Sequence, residues 1–280
     1  MIITKDLSEL NKAKAELNIG FNDLGFVPTM GALHKGHITL IKRAKAENKA
    51  AICSIFVNPT QFNDKKDLDN YPRTLESDIV ALEASGCDLL FLPSVATMYP
   101  DGEKFLDVDL NGLDKTMEGE FRPGHFLGMI TIVDKLLKTV NAANNYFGEK
   151  DFQQLAIIKH YVLKNNLPFN IVGCETIREA DGLAFSSRNA LLTADERAVA
   201  PLIYKTLCQC NELKGEKSVS SLLAWVKEQI DNSMLLKVQY ISFVDAETLV
   251  PVHDWDESKN IRACIAVLTS GPRLIDNIAI

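Results

Sequence analysis

No run of apolar residues in this 280-residue chain reaches the length of about 20 that a membrane-spanning helix requires, so no helical span is expected. The opening Met1-Ile2-Ile3-Thr4-Lys5 lacks the layout of a secretory leader. Six cysteines, at positions 53, 87, 174, 208, 210 and 264, show no disulfide-framework spacing. Cys208-x-Cys210 offers two ligands where a structural zinc site takes about four. Reduced, structural thiols and a cytoplasmic location are therefore expected. Positive charge is also short: 30 lysines and arginines against 37 acidic residues leave a net charge of −7. That excludes a broad nucleic-acid surface, and any bound anion must be met by positive charge gathered locally. No internal repeat and no proline- and glycine-rich linker is visible, although the length admits one large domain or two modest ones.

What the chain does have is Val27-Pro28-Thr29-Met30-Gly31-Ala32-Leu33-His34-Lys35-Gly36-His37, where a buried strand hands over to a helix. Gly25-Phe26-Val27 is short and apolar, and Pro28, with no N–H to donate, is expected to stop the pairing. Ile38, Ile41 and Ala44 then share one helical stripe. A helix N-terminus leaves amides unpaired and carries partial positive charge, so it receives anions before any side chain is considered. His34 and His37 stand one turn apart there and can reach one ligand together. Imidazole donates hydrogen bonds to phosphate and can carry a proton near neutral pH. Gly36 leaves room for a flat ring against the backbone. The Gly31-to-Gly36 gap matches a P-loop, but His37-Ile38 stands where that loop needs Lys and Ser or Thr, which argues against a P-loop NTPase. Taken alone, two histidines near a turn are equally compatible with surface hydrogen bonding.

Further along, Leu7 to Leu17 reads as a short helix leading into that first strand. Ala50 to Val57 suits a second buried strand. It ends at Asn58-Pro59, before a loop of Thr60-Gln61-Phe62-Asn63 and the charged Asp64-Lys65-Lys66-Asp67. Leu75, Ile79 and Leu82 space a helix closed by Gly86, and a third strand covers Asp88 to Pro93. Strands alternating with helices predict an α/β fold built on an open, mostly parallel sheet, with ligands at the carboxyl ends of the strands. Residues 94–124 read as loop-rich, with turns at Pro100-Asp101-Gly102 and Arg122-Pro123-Gly124, and His125 to Val140 as an amphipathic helix. Asn145-Tyr146-Phe147 is a short strand that runs through Gly148-Glu149-Lys150-Asp151 into a helix carrying Leu155, Ile158 and Val162. Lys150 and Gln154 are one turn apart there, beside Gln153, at a second anion-facing turn. Phe169 to Val172 is another strand. Ser186-Ser187-Arg188 supplies donors suited to phosphate oxygens, and Thr193-x-x-Glu196 is a capping box. A helix through Val219, Leu222, Val226 and Ile230 and strands at 238–244, 261–268 and 274–280 imply a smaller α+β domain. The division is expected at 1–178 and 179–280.

His34-x-Gly36-His37 after a first strand resembles the signature of the nucleotidylyl-transfer superfamily. More segments resemble the pantothenate synthetase family: Pro28 to His37, Phe56-Val57-Asn58-Pro59-Thr60-Gln61-Phe62, Tyr71-Pro72-Arg73-Thr74 and Arg122-Pro123-Gly124-His125-Phe126. So do Phe147 to Gln154, Arg178 to Leu183, Ser186-Ser187-Arg188-Asn189 and Arg273 to Asn277. The resemblance covers nearly the whole chain. It implies a Rossmann-type sheet with helices on both faces, a homodimer, and a C-terminal domain that acts as a lid. It also implies ATP-dependent condensation of pantoate with β-alanine through pantoyl adenylate, with release of pyrophosphate and AMP. By the same resemblance Met30, Gly31, Ala32, Leu33, His34, Lys35, Gly36 and His37 line ATP, together with Gly148, Glu149, Lys150, Asp151, Ile177, Phe185, Ser186, Ser187 and Arg188. His37 is the implied proton donor, and His34, Lys150, Ser186, Ser187 and Arg188 are the other implied catalytic groups. The resemblance further implies that Gln61 and Gln154 bind pantoate and that Gln61 also lies near β-alanine. Phe185 stands where the family usually has Met or Leu. Magnesium is expected to ride on the phosphates and water rather than in a protein cage, with no tightly bound organic cofactor and no nucleic-acid or membrane partner. A small-molecule nucleotidylyltransferase and a non-catalytic nucleotide-binding module are the competing readings.

Overall fold

Apolar runs alternating with amphipathic segments give β1 (Ile2–Thr4), α1 (Leu7–Glu16), β2 (Leu24–Thr29), α2 (Lys35–Glu47), β3 (Ala50–Ile55), α3 (Lys65–Asn70), α4 (Leu75–Ala84) and β4 (Leu89–Phe91). Then come α5 (Val95–Met98), α6 (Glu118–Phe121), α7 (His125–Val140), β5 (Asn144–Gly148), α8 (Phe152–Lys164) and β6 (Asn170–Cys174). The chain continues through α9 (Ala194–Val199), α10 (Leu202–Leu213) and α11 (Val219–Asp231) to β7 (Lys237–Asp245), β8 (Ile261–Leu268) and β9 (Arg273–Ala279). The computed structural model describes residues 1–62 and 65–280. The expected loop residues Asn63 and Asp64, and the side chains of Lys65, Lys66 and Asp67, lie outside the described residues.

Six strands form one parallel sheet in the order β1-β4-β3-β2-β5-β6. Strand residues alternate between two cores. Leu24, Phe26, Ile52, Leu89 and Phe91 face a cluster with α7 and α8. Val27, Ala51, Cys53 and Leu90 face a second cluster with α2 and Leu82 of α4. Helices thus cover both faces, as a sheet with two apolar sides requires. The remaining strands form an antiparallel sheet, β7-β8-β9, backed by α10 and α11.

Two expectations change. Ile2–Thr4 is an edge strand paired with β4, so the sheet begins before Leu7; three residues are too few to show a period. Pro28 does not end its strand but pairs in register with Ser54. Pairing with β5 stops at Phe26, so one flank of β2 carries no ladder there, as an imino residue requires.

Candidate active site

After β2 the chain runs to β3 and β4 on one side, and β5 and β6 lie on the other. The crevice between β2 and β5 is therefore the switch point where open α/β sheets take ligands. Beyond Thr29 the backbone turns left-handed twice, at Gly31 (φ +81°) and Ala32 (φ +50°). Glycine does this without strain and alanine does not. Asp78 of α4, 3% exposed, holds the turn. Its carboxylate accepts from the N–H of Ala32 at 2.9 Å, the N–H of Leu33 at 2.8 Å and the hydroxyl of Thr74 at 3.2 Å.

That turn delivers His34 as the N-cap of α2. His34 Nδ1 accepts from the Gly36 N–H at 3.2 Å, and His37 Nδ1 accepts from the His34 N–H at 3.4 Å. With Nδ1 accepting, this network assigns the proton of each neutral ring to Nε2. The rings lie 4.0 Å apart between centroids. Burial lowers the His34 pKa to about 4, with the Lys150 charge adding to the effect. Burial lowers that of His37 to about 3, reinforced by His34 and then Lys150. Both imidazoles are neutral at physiological pH and offer N–H donors.

The opposite wall is the three-residue turn Glu149–Asp151 between β5 and α8. The Lys150 side chain is 19% exposed there, 3.8 Å from Asp151. Gln154 faces the crevice from α8. Its neighbour Gln153 points elsewhere, accepting from the Glu118 N–H at 3.0 Å and donating to Leu113 and Thr116 carbonyls. Gln61 is oriented from both ends. Its Oε1 accepts from Asn58 at 3.1 Å and its Nε2 lies 2.9 Å from Met30 Sδ. The backbone beneath it packs so closely on α7 that a Cβ on Gly128 would stand 2.2 Å from Thr60 O. At the mouth, Phe185 N–H donates to Ile177 O at 3.0 Å, and Ser186 Oγ accepts from the Arg188 N–H at 3.3 Å.

One cavity of about 240 Å³ is lined by Met30, His34, Gly36, His37, Gln61, Gly148, Lys150, Asp151, Gln154, Ile177, Phe185, Ser186, Ser187 and Arg188. Gly31, Ala32, Leu33, Lys35 and Glu149 are not among its lining residues. The amides of Ala32 and Leu33 turn to Asp78, the Lys35 ammonium stands 5.9 Å over the Phe185 ring, and Glu149 pairs with Arg262 at 3.0 Å. Arg122 and His125 also line the cavity, unassigned by the sequence reading although Arg122-Pro123-Gly124-His125 was visible as a motif. Burial pushes His125 down to about 4, and its Nδ1 lies 2.8 Å from Gln61 O. Among the described residues no group of three or more His, Cys, Asp or Glu could hold a metal. The arrangement gathers neutral and cationic donors around a space lined by two glutamine amides, that of Gln61 held at both ends, and such a set suits a phosphorylated ligand beside a polar acid.

Comparison with known proteins gives a consistent result. A family model described as pantoate–β-alanine ligase matches residues 2–279. A pantothenate synthetase of Bacteroides fragilis is 47% identical over 275 residues, 98% of this chain and 96% of its own. One from Flavobacterium psychrophilum is 46% identical over 258 residues, 92% of each chain. The crystal structure of pantothenate synthetase from Thermus thermophilus superposes with a TM-score of 0.92 at 40% identity, covering 99% of both chains. That of the Francisella tularensis pantoate–β-alanine ligase, complexed with β,γ ATP and β-alanine, superposes with a TM-score of 0.82 at 39% identity, covering 100% of this chain and 97% of that one.

Proposed function

This chain belongs to the pantoate–β-alanine ligase family and is an ATP-dependent ligase that joins pantoate to β-alanine; we propose that it does so by way of pantoyl adenylate. What supports the reading is one cavity in which the α2 histidines, the β5–α8 lysine and the 186–188 donors meet two glutamines.

The chemical problem is repulsion. A carboxylate must attack an anionic α-phosphoryl group, so catalysis rests on positioning and on charge stabilisation. Lys150 and Arg188 bring positive charge to the triphosphate from two sides. His34 and His37 donate from Nε2, and Ser186 and Ser187 donate from the mouth. Burial lowers the His37 pKa, so the ring presents a neutral Nε2–H donor to the incoming phosphates. Gln61 and Gln154 hold pantoate by its hydroxyls and carboxylate without a salt bridge that would blunt its nucleophilicity. Once the acyl adenylate has formed and pyrophosphate has left, the β-alanine amine attacks the acyl carbon and AMP departs, splitting one hard step into two easier ones. Magnesium would ride on the triphosphate and water, as the cation commonly does in nucleotide sites, and would neutralise part of its charge. A homodimer and a covering role for the C-terminal part, on the strength of the family resemblance, and a cytoplasmic location and the division at 1–178 and 179–280, on the strength of the sequence pattern, complete the proposal.

The test is isotope exchange. Labelled pyrophosphate should enter ATP when enzyme, Mg-ATP and pantoate are mixed without β-alanine, and should not when pantoate is left out. Exchange that needed the amine would sink the adenylate. A product that kept the nucleotide, rather than free AMP, would favour a nucleotidylyltransferase.

A further inference from the structure

Strand β9 reaches the turn that carries Lys150. Asn277 is 3% exposed, and its Nδ2 donates to two successive carbonyls, those of Glu149 and Lys150, each at 2.9 Å. Its other end is fixed by Arg262, whose Nε donates to Oδ1 at 2.7 Å. That bond decides which end of the carboxamide faces the carbonyls. Arg262 is itself held by Glu149 at 3.0 Å and lies 4.6 Å from the centre of the Phe152 ring. The adjacent residue grips a second segment: Asp276 takes a two-pronged pair from Arg178 at 2.7 and 2.9 Å. Consecutive strand side chains point to opposite faces, so these two residues tie β9 both to the Lys150 turn and to the chain leaving β6.

The Glu149–Asp151 turn is only three residues long, and a single 3-10 turn has poor hydrogen-bond geometry of its own. We infer that Asn277 is a positioning residue for Lys150. Its two donations set the backbone from which the ammonium reaches the phosphates. The inference rests on the adenylation role proposed above for Lys150. It makes the three-stranded sheet a strut for the active site as well as a neighbour of it.

The experiment is a double-mutant cycle read by pyrophosphate exchange. Asn277→Asp keeps the acceptor for Arg262 and replaces the two donations with an oxygen facing two carbonyls. Exchange should fall about 10- to 100-fold, the scale of a misplacement near 1 Å, while thermal melts show a folded protein. In a Lys150→Ala background the same change should cost less than about twofold, because the group it positions is gone. A purely structural asparagine would instead multiply the two losses. A wild-type rate in Asn277→Asp, or fully multiplicative losses, would overturn the inference alone. A silent Lys150→Ala would overturn the role of Lys150 and the inference with it. If Asn277→Asp does not fold, Asn277→Ala is measured in the same cycle. It deletes the donors without adding charge, and Asn277 and Lys150 both line a second cavity of about 40 Å³.

Discussion

Asp78 is the acid on which the histidine turn depends, and Asp78→Asn is the sharpest test of that statement. The carboxylate presents one oxygen to Ala32 N–H and the other to Leu33 N–H. A carboxamide has one oxygen, so whichever way it flips, its NH₂ faces a buried N–H. One donor loses its acceptor, at about 1–3 kcal/mol, and the other exchanges a charged acceptor for a neutral one, at about 1 kcal/mol more. The sum, about 2–4 kcal/mol, falls on a segment already bent through a left-handed alanine. His34 follows two residues later, so the loss should appear in catalysis as well as in stability. Urea denaturation should show a midpoint lowered in line with that sum, and pyrophosphate exchange at saturating pantoate should drop at least about tenfold, one decade for each 1.4 kcal/mol of misplacement. Glu76→Gln, an exposed carboxylate on the same helix, should change neither. A wild-type midpoint together with wild-type exchange in Asp78→Asn would refute the reasoning.

Acid should destabilise the protein through its buried rings. His34, His37 and His125 are held near 4, 3 and 4, below the ordinary 6.5, so unfolded chains take up protons that the fold refuses. Their contribution is complete above about 6.5 and is lost as pH falls towards those values. His37→Gln should therefore show a smaller drop in melting temperature between pH 7.5 and 5 than the wild type, and an equal drop would remove His37 from the account. Phe185 lies nearly parallel to the His34 ring, at 17° and 6.2 Å, and both flank the bare backbone of Gly36. Phe185→Leu should raise the KM for ATP about two- to tenfold, the worth of one aromatic stack, and leave that for pantoate unchanged; an unaltered KM for ATP would show that the ring is no part of the nucleotide wall.

Local chemistry in this chain was legible, and what supports it over long range was not. Helix α7 could be read end to end because its apolar stripe is continuous from Phe126 to Val140. The Thr193–Glu196 capping box is closed within four residues, so its sequence was enough. The histidine pair, Lys150 and the 186–188 donors were visible as motifs, and the sheet order brings them to one cavity. Asp78 was not visible, since an acidic residue in the first turn of α4 looks like any solvated helix start. Only the pairing of β2 beside β3 carries that carboxylate, from 46 residues away, beneath Ala32. Gln153 and Gln154 make the same point with adjacent, identical residues. A step of about 100° around α8 sends one amide to the cavity and the other to pin the loop before α6. Asn277 was visible only as part of a terminal motif, because its partners are two backbone carbonyls, and a carbonyl has no signature in sequence. Groups proposed to meet substrate are constrained by chemistry to particular residue types. Groups that hold them are constrained by where the sheet places them, so they emerge only once strand order and register are known.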